Sequence, residues 1–264
     1  MRKHFIRYDS VSQLADAIYR KKALDVWRDH CTPCSEGGAT RSWSGETFES
    51  GFEKLMNGDA ENAAKIKAEG DILVAENRCA KPQMINSVIG CIPNVPNYLR
   101  GVPNQMMKVI REPKKKPIID VFIDASIWHS VDINKAARAA AKIASVITAT
   151  ENAGVRCNVY ALCASEKNNC MAAMTVKIKE ASSPLNLLNV AFPLTNRAFC
   201  RVTFIHWLET TCPEYISCHG QVMSGERAKR ELGLEGLVFS MGDTINNNYD
   251  IEYLTRKVND YLAK

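Results

Sequence analysis

No stretch of this chain approaches the ~18 consecutive apolar residues that cross a bilayer as a helix. The opening MRKHFIRYDS also lacks the apolar centre of a secretory leader. These absences lead us to expect a soluble, cytoplasmic protein with no membrane partner. There is no low-complexity tract and no internal repeat, which argues against extended disorder and against a solenoid. A glycine-rich phosphate loop, HExxH, GxSxG and a dinucleotide fingerprint are all missing, so the common nucleotide and hydrolase chemistries have no support and no enzymatic activity is expected. Histidine is scarce, at five residues. His206 sits in an apolar run and reads as a core residue. His129, beside Trp128, follows a strand at the end where open α/β sheets bind ligands. Cys218-His219-Gly220 holds a thiol and an imidazole, but sequence neighbours rarely face each other and no orienting group is evident.

What is present suits a globular chain. Of the 264 residues, 46% are hydrophobic and 24% charged, enough to build a full core in one large domain or in a domain with a smaller appendage. The ten cysteines are scattered through apolar runs rather than arrayed as a framework, and are expected to be reduced, buried thiols. Cys31 and Cys34 form a CxxC, yet Cys79 and Cys91 lack the spacing of a second zinc knuckle. The formal charge of +5 is modest, and the basic residues read as spread along the chain rather than massed.

The clearest organisation runs from Lys116 to Cys157. Ile118 to Ile123 is a short apolar, β-branched run that predicts a buried strand, ending at the polar turn Asp124-Ala125-Ser126. Ile133 to Asn152 has apolar residues at three and four spacing and is closed by Gly154, which predicts a long helix. A second strand begins at Val155. Strand, helix and strand with tight connections make a βαβ unit and hence a parallel sheet with helices on its faces. Upstream, Ser10 with Gln13, Thr47 with Gly58, and Asp59 to Cys79 predict three helices, so the N-terminal part reads as all-helical. Pro93, Pro96 and Pro103 predict an extended strap. Downstream, Ala172 to Glu180 alternates like a half-solvated strand and is expected at the sheet edge, antiparallel to its neighbour. Ser183 to Phe192 and Arg197 to Glu209 read as helical, although FCRVTFIHWL is β-rich enough to be a strand. Leu237 to Met241 predicts a last strand and Asp250 caps a closing helix to Leu262. The expected division is a helical region with its strap over 1–112 and an α/β domain over 113–264.

This layout resembles the von Willebrand factor A-like family over Pro117 to Lys264, a three-layer α/β/α, Rossmann-like fold. The resemblance implies a divalent-metal site built on a DxSxS turn, a threonine and a later aspartate. Asp124 and Ser126 match the turn, Thr195 stands for the threonine and Asp243 for the last acid. Trp128 replaces the final serine, with Ser130 two residues on, so the turn is expected to be degenerate and empty. No cofactor is expected, and Mg²⁺ is the alternative that such an oxygen-rich set would suit. WSGETFESGFEKLMNG together with GCIPNVPNYLRGVPNQM resembles uncharacterised proteins of tailed bacteriophages, which implies the host cytoplasm.

Basic residues interleaved with aromatics suit unpaired nucleic acid, because cations track the backbone while rings stack on bases. Here they are Arg41 and Trp43, Tyr98 and Arg100, and Arg111 with Lys114, Lys115 and Lys116, joined by Arg2, Lys3, His4, Arg7 and Tyr8. The expected function is a non-enzymatic accessory protein that binds single-stranded DNA in support of transcription or replication, with an RNA or DNA polymerase as a further partner. The alternative is a protein-interaction module using the carboxyl edge of the sheet, with or without metal.

Overall fold

The computed structural model describes residues 2–19, 46–76, 84–109, 117–127, 131–212, 214 and 222–263. Strand β1 (Arg2–Tyr8) is followed by α1 (Val11–Tyr19), whose Ser10 hydroxyl accepts from the Gln13 amide at 3.2 Å. Helix α2 (Phe48–Asn57) starts at Thr47 as expected, with a capping box between Thr47 and Ser50, and stops at Gly58, with φ +86°. Helix α3 (Ala60–Glu76) starts where the buried Asp59 carboxylate accepts from the Asn62 amide at 3.1 Å.

Residues 73–116 form a compact unit of their own. Its strands β2 (Met84–Ser87), β3 (Ile92–Pro93) and β4 (Met106–Val109) make an antiparallel sheet in the order β2-β4-β3. The one-turn helix α4 (Val95–Leu99) lies between β3 and β4. The expected extended strap is therefore corrected. Pro96 sits in the first turn of α4, where a missing N–H leaves no helical bond unmade, and Asn94 caps that turn. Gly90 allows the chain to fold tightly, since a Cβ there would lie 2.2 Å from the Met107 carbonyl oxygen.

The second unit, residues 1–72 with 117–264, holds the core. It continues with β5 (Ile118–Asp124), α5 (Ile133–Asn152), β6 (Arg156–Lys167), β7 (Cys170–Lys179) and α6 (Leu187–Thr195). A π-helical segment, Phe199–Phe204, runs directly into α7 (Ile205–Thr211), so the ambiguous β-rich stretch is helical. Then come α8 (Gly225–Leu232), β8 (Leu237–Ser240), α9 (Met241–Asn246) and α10 (Ile251–Leu262). The sheet runs β1-β7-β6-β5-β8, with β6, β5 and β8 parallel, β7 antiparallel to β6, and β1 parallel to β7. Ile119, Val121 and Ile123 of β5 are buried on one face, and α5 packs there with α6, α9 and α10. Phe122, Tyr160, Leu162 and Val238 pack on the other with Ala228 of α8. The architecture is thus a mixed α/β fold around a mostly parallel sheet flanked by helices.

Two expectations fail for one reason. The N-terminal part is not all-helical, because Arg2–Tyr8 adds a strand in register from Arg2↔Cys170 to Tyr8↔Val176. That strand covers β7, which is consequently neither at the edge nor half-solvated, all but one of its residues being buried. The division at 112/113 moves accordingly: the N-terminal 72 residues belong with the sheet, and 73–116 is the separate unit.

Candidate functional site

Asp124 closes β5, next to the point where the chain leaves β5 for β6 on one side and returns in β8 on the other. Loops at such a switch point hold ligands in open α/β sheets. Its carboxylate is 3% exposed. One oxygen accepts from the Ser126 amide at 3.1 Å and the other from the Gly225 amide at 2.8 Å, the first N–H of α8. Gly225 has to be glycine for this approach, because a Cβ would meet the Asp124 Cβ at 2.7 Å. Burial raises the Asp124 pKa to about 6; the hydrogen bonds from Ser126 and Gly225 moderate the rise, and the nearby Asp243 charge adds to it. The Ser126 hydroxyl lies beside the carboxylate but makes no hydrogen bond of ordinary geometry. Thr195 is buried, its hydroxyl donating to the Ala191 carbonyl at 2.8 Å. It lines a cavity of about 350 Å³ with Ile127, Glu46, Asn196 and Arg197. Asp243 is exposed in the first turn of α9.

This donor set does not fit a hard divalent cation, which wants several free oxygens. Both Asp124 oxygens already accept amides, and among the described residues no group of three or more acids, histidines or cysteines is placed to share an ion. The arrangement instead pins the start of α8 to the end of β5.

The residues expected to meet nucleic acid separate into three sets. Arg41, Trp43, Arg111, Lys114, Lys115 and Lys116 lie outside the described residues, as do Trp128, His129, Ser130, Cys31, Cys34, Cys79, Cys218 and His219. Tyr98, 65% exposed, and Arg100 lie together at the carboxyl end of α4. The β1 set is engaged within the fold. Arg2 donates to the Cys170 sulfur, Lys3 pairs with Glu231 at 3.0 Å, and Arg7 binds Asp120 at 2.9 Å while stacking 4.2 Å above the Tyr160 ring. Tyr8 is buried and accepts the Trp207 indole N–H at 2.8 Å. These side chains hold an edge strand to the sheet, and we withdraw them from the interface. His206 is a core residue as expected, with Nε2 3.1 Å from the Ile18 carbonyl and the ring against Phe48. Among the described residues six cysteines form no disulfide, and five of them are buried.

Charge is massed after all. Residues 73–116 contain eight basic and two acidic residues, a net +6, so the remaining 220 residues carry −1. The signal was present in the sequence, but shows only when charge is summed within the boundaries of the small unit. The same unit carries exposed apolar surface, with Val88, Ile89, Val95 and Leu99 exposed by 66%, 80%, 56% and 78%. Glu209 was also missed. It is 1% exposed, neither carboxylate oxygen has a partner among the described residues, and burial raises its pKa to about 7.

A family model described as "Domain of unknown function (DUF7192)" matches residues 2–262. The chain belongs to that family. No curated protein and no solved structure matches it. The DUF7192 match covers both units, so the basic segment 73–116 lies within the family domain rather than beside it. No helix among the described residues of this DUF7192 chain is long and apolar enough to cross a membrane.

Proposed function

We propose that this protein binds single-stranded DNA through residues 73–116 and acts as a non-enzymatic accessory to a phage or host polymerase in the host cytoplasm. The observation that carries this reading is the separation of charge, +6 on the small unit and −1 on the rest. A polyanion is drawn to the first and gains nothing from the second. Tyr98 presents an exposed ring for stacking, with Arg100 beside it and Lys114, Lys115 and Lys116 close in sequence. We read the larger unit as a von Willebrand A-like scaffold. Support comes from the Asp124-x-Ser126 turn after the first strand of the βαβ unit and the antiparallel strand following the second. The turn works without Mg²⁺ in this reading.

The test is a salt titration of binding to labelled single- and double-stranded oligonucleotides. Affinity for the single strand should fall as salt rises, with a log–log slope of about 0.7 per phosphate contacted. Replacing Lys114, Lys115 and Lys116 with alanine should flatten the slope, whereas Tyr98→Ala should cost about 1–3 kcal/mol at every salt concentration. Absence of binding at about 50 mM salt sinks the reading. A protein partner on the same unit would then lead, because exposed Val88, Ile89, Val95 and Leu99 form the aliphatic surface that protein interfaces bury.

A further inference from the structure

Lys142 lies on the inner side of α5 and is 9% exposed. Its ammonium donates to the Asn248 side-chain oxygen and to the Tyr249 carbonyl, both at 3.0 Å. Those are two neutral acceptors for three N–H bonds, and no carboxylate among the described residues lies within ion-pairing distance. A buried ammonium without a counter-charge is costly, and burial, followed by the Arg138 charge, holds its pKa below the usual lysine range. Asp250 and Glu69 act in the opposite direction from farther away. Glu69 is committed to Arg138, at 3.0 and 3.3 Å, and Asp250 caps α10 by accepting from the Tyr253 amide at 2.8 Å.

The spacing of Lys135, Arg138 and Lys142 puts all three cations on one stripe of α5. They line, with Thr244, Ile245 and Asn248, a cavity of about 230 Å³ between α5 and the end of α9. Four donors remain there without a partner among the described residues: the Lys135 ammonium, the third N–H of Lys142, Nη1 of Arg138 and the Asn248 amide nitrogen. Asn248 holds its place through a left-handed backbone, φ +48°, which asparagine tolerates better than most residues. Charged donors from one helix stripe, faced by the Asn248 amide across a small concavity, suit the several acceptor oxygens of a tetrahedral oxyanion.

We propose that this cleft binds a phosphate-type oxyanion, which supplies the counter-charge Lys142 lacks. The oxyanion has two sources, a free phosphate or phosphomonoester and the phosphodiester of a bound strand. The site is on the larger unit and does not depend on residues 73–116 contacting DNA.

The experiment is thermal denaturation of the full chain with increasing inorganic phosphate, at an ionic strength held constant with chloride. A saturable rise in Tm is expected. It should vanish in Lys142→Met, and its midpoint should move about tenfold to higher phosphate in Lys135→Gln, which removes one charged donor. Lys135 is exposed, so its variant decides the matter if Lys142→Met does not fold. No saturable rise, or one unchanged in Lys135→Gln, overturns the site. A second arm measures whether saturating phosphate weakens binding of an oligo-dT strand. Competition assigns the cleft to a strand phosphate, and a Tm response without competition assigns it to a free phosphate ligand. A Tm response in a protein that binds no oligo-dT would leave the site standing and remove only the DNA reading.

Discussion

The two units of this chain use charge and apolar surface in opposite ways. In the larger unit Trp207, Tyr160, Phe122 and Phe192 are fully buried, and Lys3 and Arg7 of β1 are spent on carboxylates and a ring. In residues 86–107 of the smaller unit not one side chain is buried, and Ile89 and Leu99 face solvent in the unit whose sequence carries the excess of positive charge. A three-stranded sheet of four-residue and two-residue strands gains little from burial, so its apolar and basic residues contribute mainly through what they meet. The larger unit should therefore control stability and respond to pH through its buried acids. The smaller should control binding and respond to salt.

The largest effect that separates the two is expected from Trp207. Its ring is 0% exposed, stacks on Phe204 at 5.5 Å and donates to Tyr8. Trp207→Ala should cost about 3–5 kcal/mol in a denaturant titration. Tyr98→Ala, by contrast, should change stability by less than about 0.5 kcal/mol, as surface substitutions do. Equal losses from the two variants would show that the smaller unit shares the core after all.

How much of this was legible in the sequence depended on distance along the chain. Helix α5 and helix α10 were read to the residue, because their periodicity and the signals that bound them, Gly154 after α5 and Asp250 before α10, are local. β1 was not, since a basic edge strand without an apolar run is decided by its partner, and β7 begins at Cys170, far away in sequence. Asp124 and Ser126 were singled out, but that both Asp124 oxygens accept amides depended on where Gly225 arrives. Glu209 entered the sequence reading only as the last residue of a helical segment. Only the packing of α7 shows that it is enclosed.

Glu209 supplies the next effect. Its folded pKa, about 7, lies above the ordinary 4.5 because burial penalises the charge, so the folded state holds a proton that the unfolded chain has released between those values. Stability therefore falls as pH rises from about 4.5 to 7 and stays low above that. Asp124, raised to about 6, acts with the same sign between about 4 and 6. Glu209→Gln removes the ionisation and should stabilise the protein at pH ~8 by about 1–3 kcal/mol, the scale of an unsatisfied buried group. Near pH ~4 the variant and the wild type should differ little. A wild-type stability that climbs with pH across this window would contradict the burial of both acids. The salt dependence of the proposed DNA binding should be the same in the Glu209 variant, since its charge belongs to the other unit.

The smallest effect is expected from Mg²⁺, and it tests whether the larger unit binds anything at its Asp124 turn. A cation entering there would have to share the only buried carboxylate of the set with the Gly225 and Ser126 amides, which already hold one lone pair on each of its oxygens. Asp243, Ser126 and Thr195 offer one exposed acid and two hydroxyls, of which the Thr195 hydroxyl already donates to a backbone carbonyl. A ligand stabilises only the state it binds, so millimolar Mg²⁺ at constant ionic strength should leave Tm unmoved. Asp124→Asn should lower Tm in the presence or absence of the ion, because an amide has one acceptor oxygen where two N–H groups converge. A shift of several degrees with Mg²⁺ that disappears in Asp124→Asn would reverse this assignment. It would place a functional metal in the larger unit and make that unit, rather than the basic one, the first surface to examine for a partner.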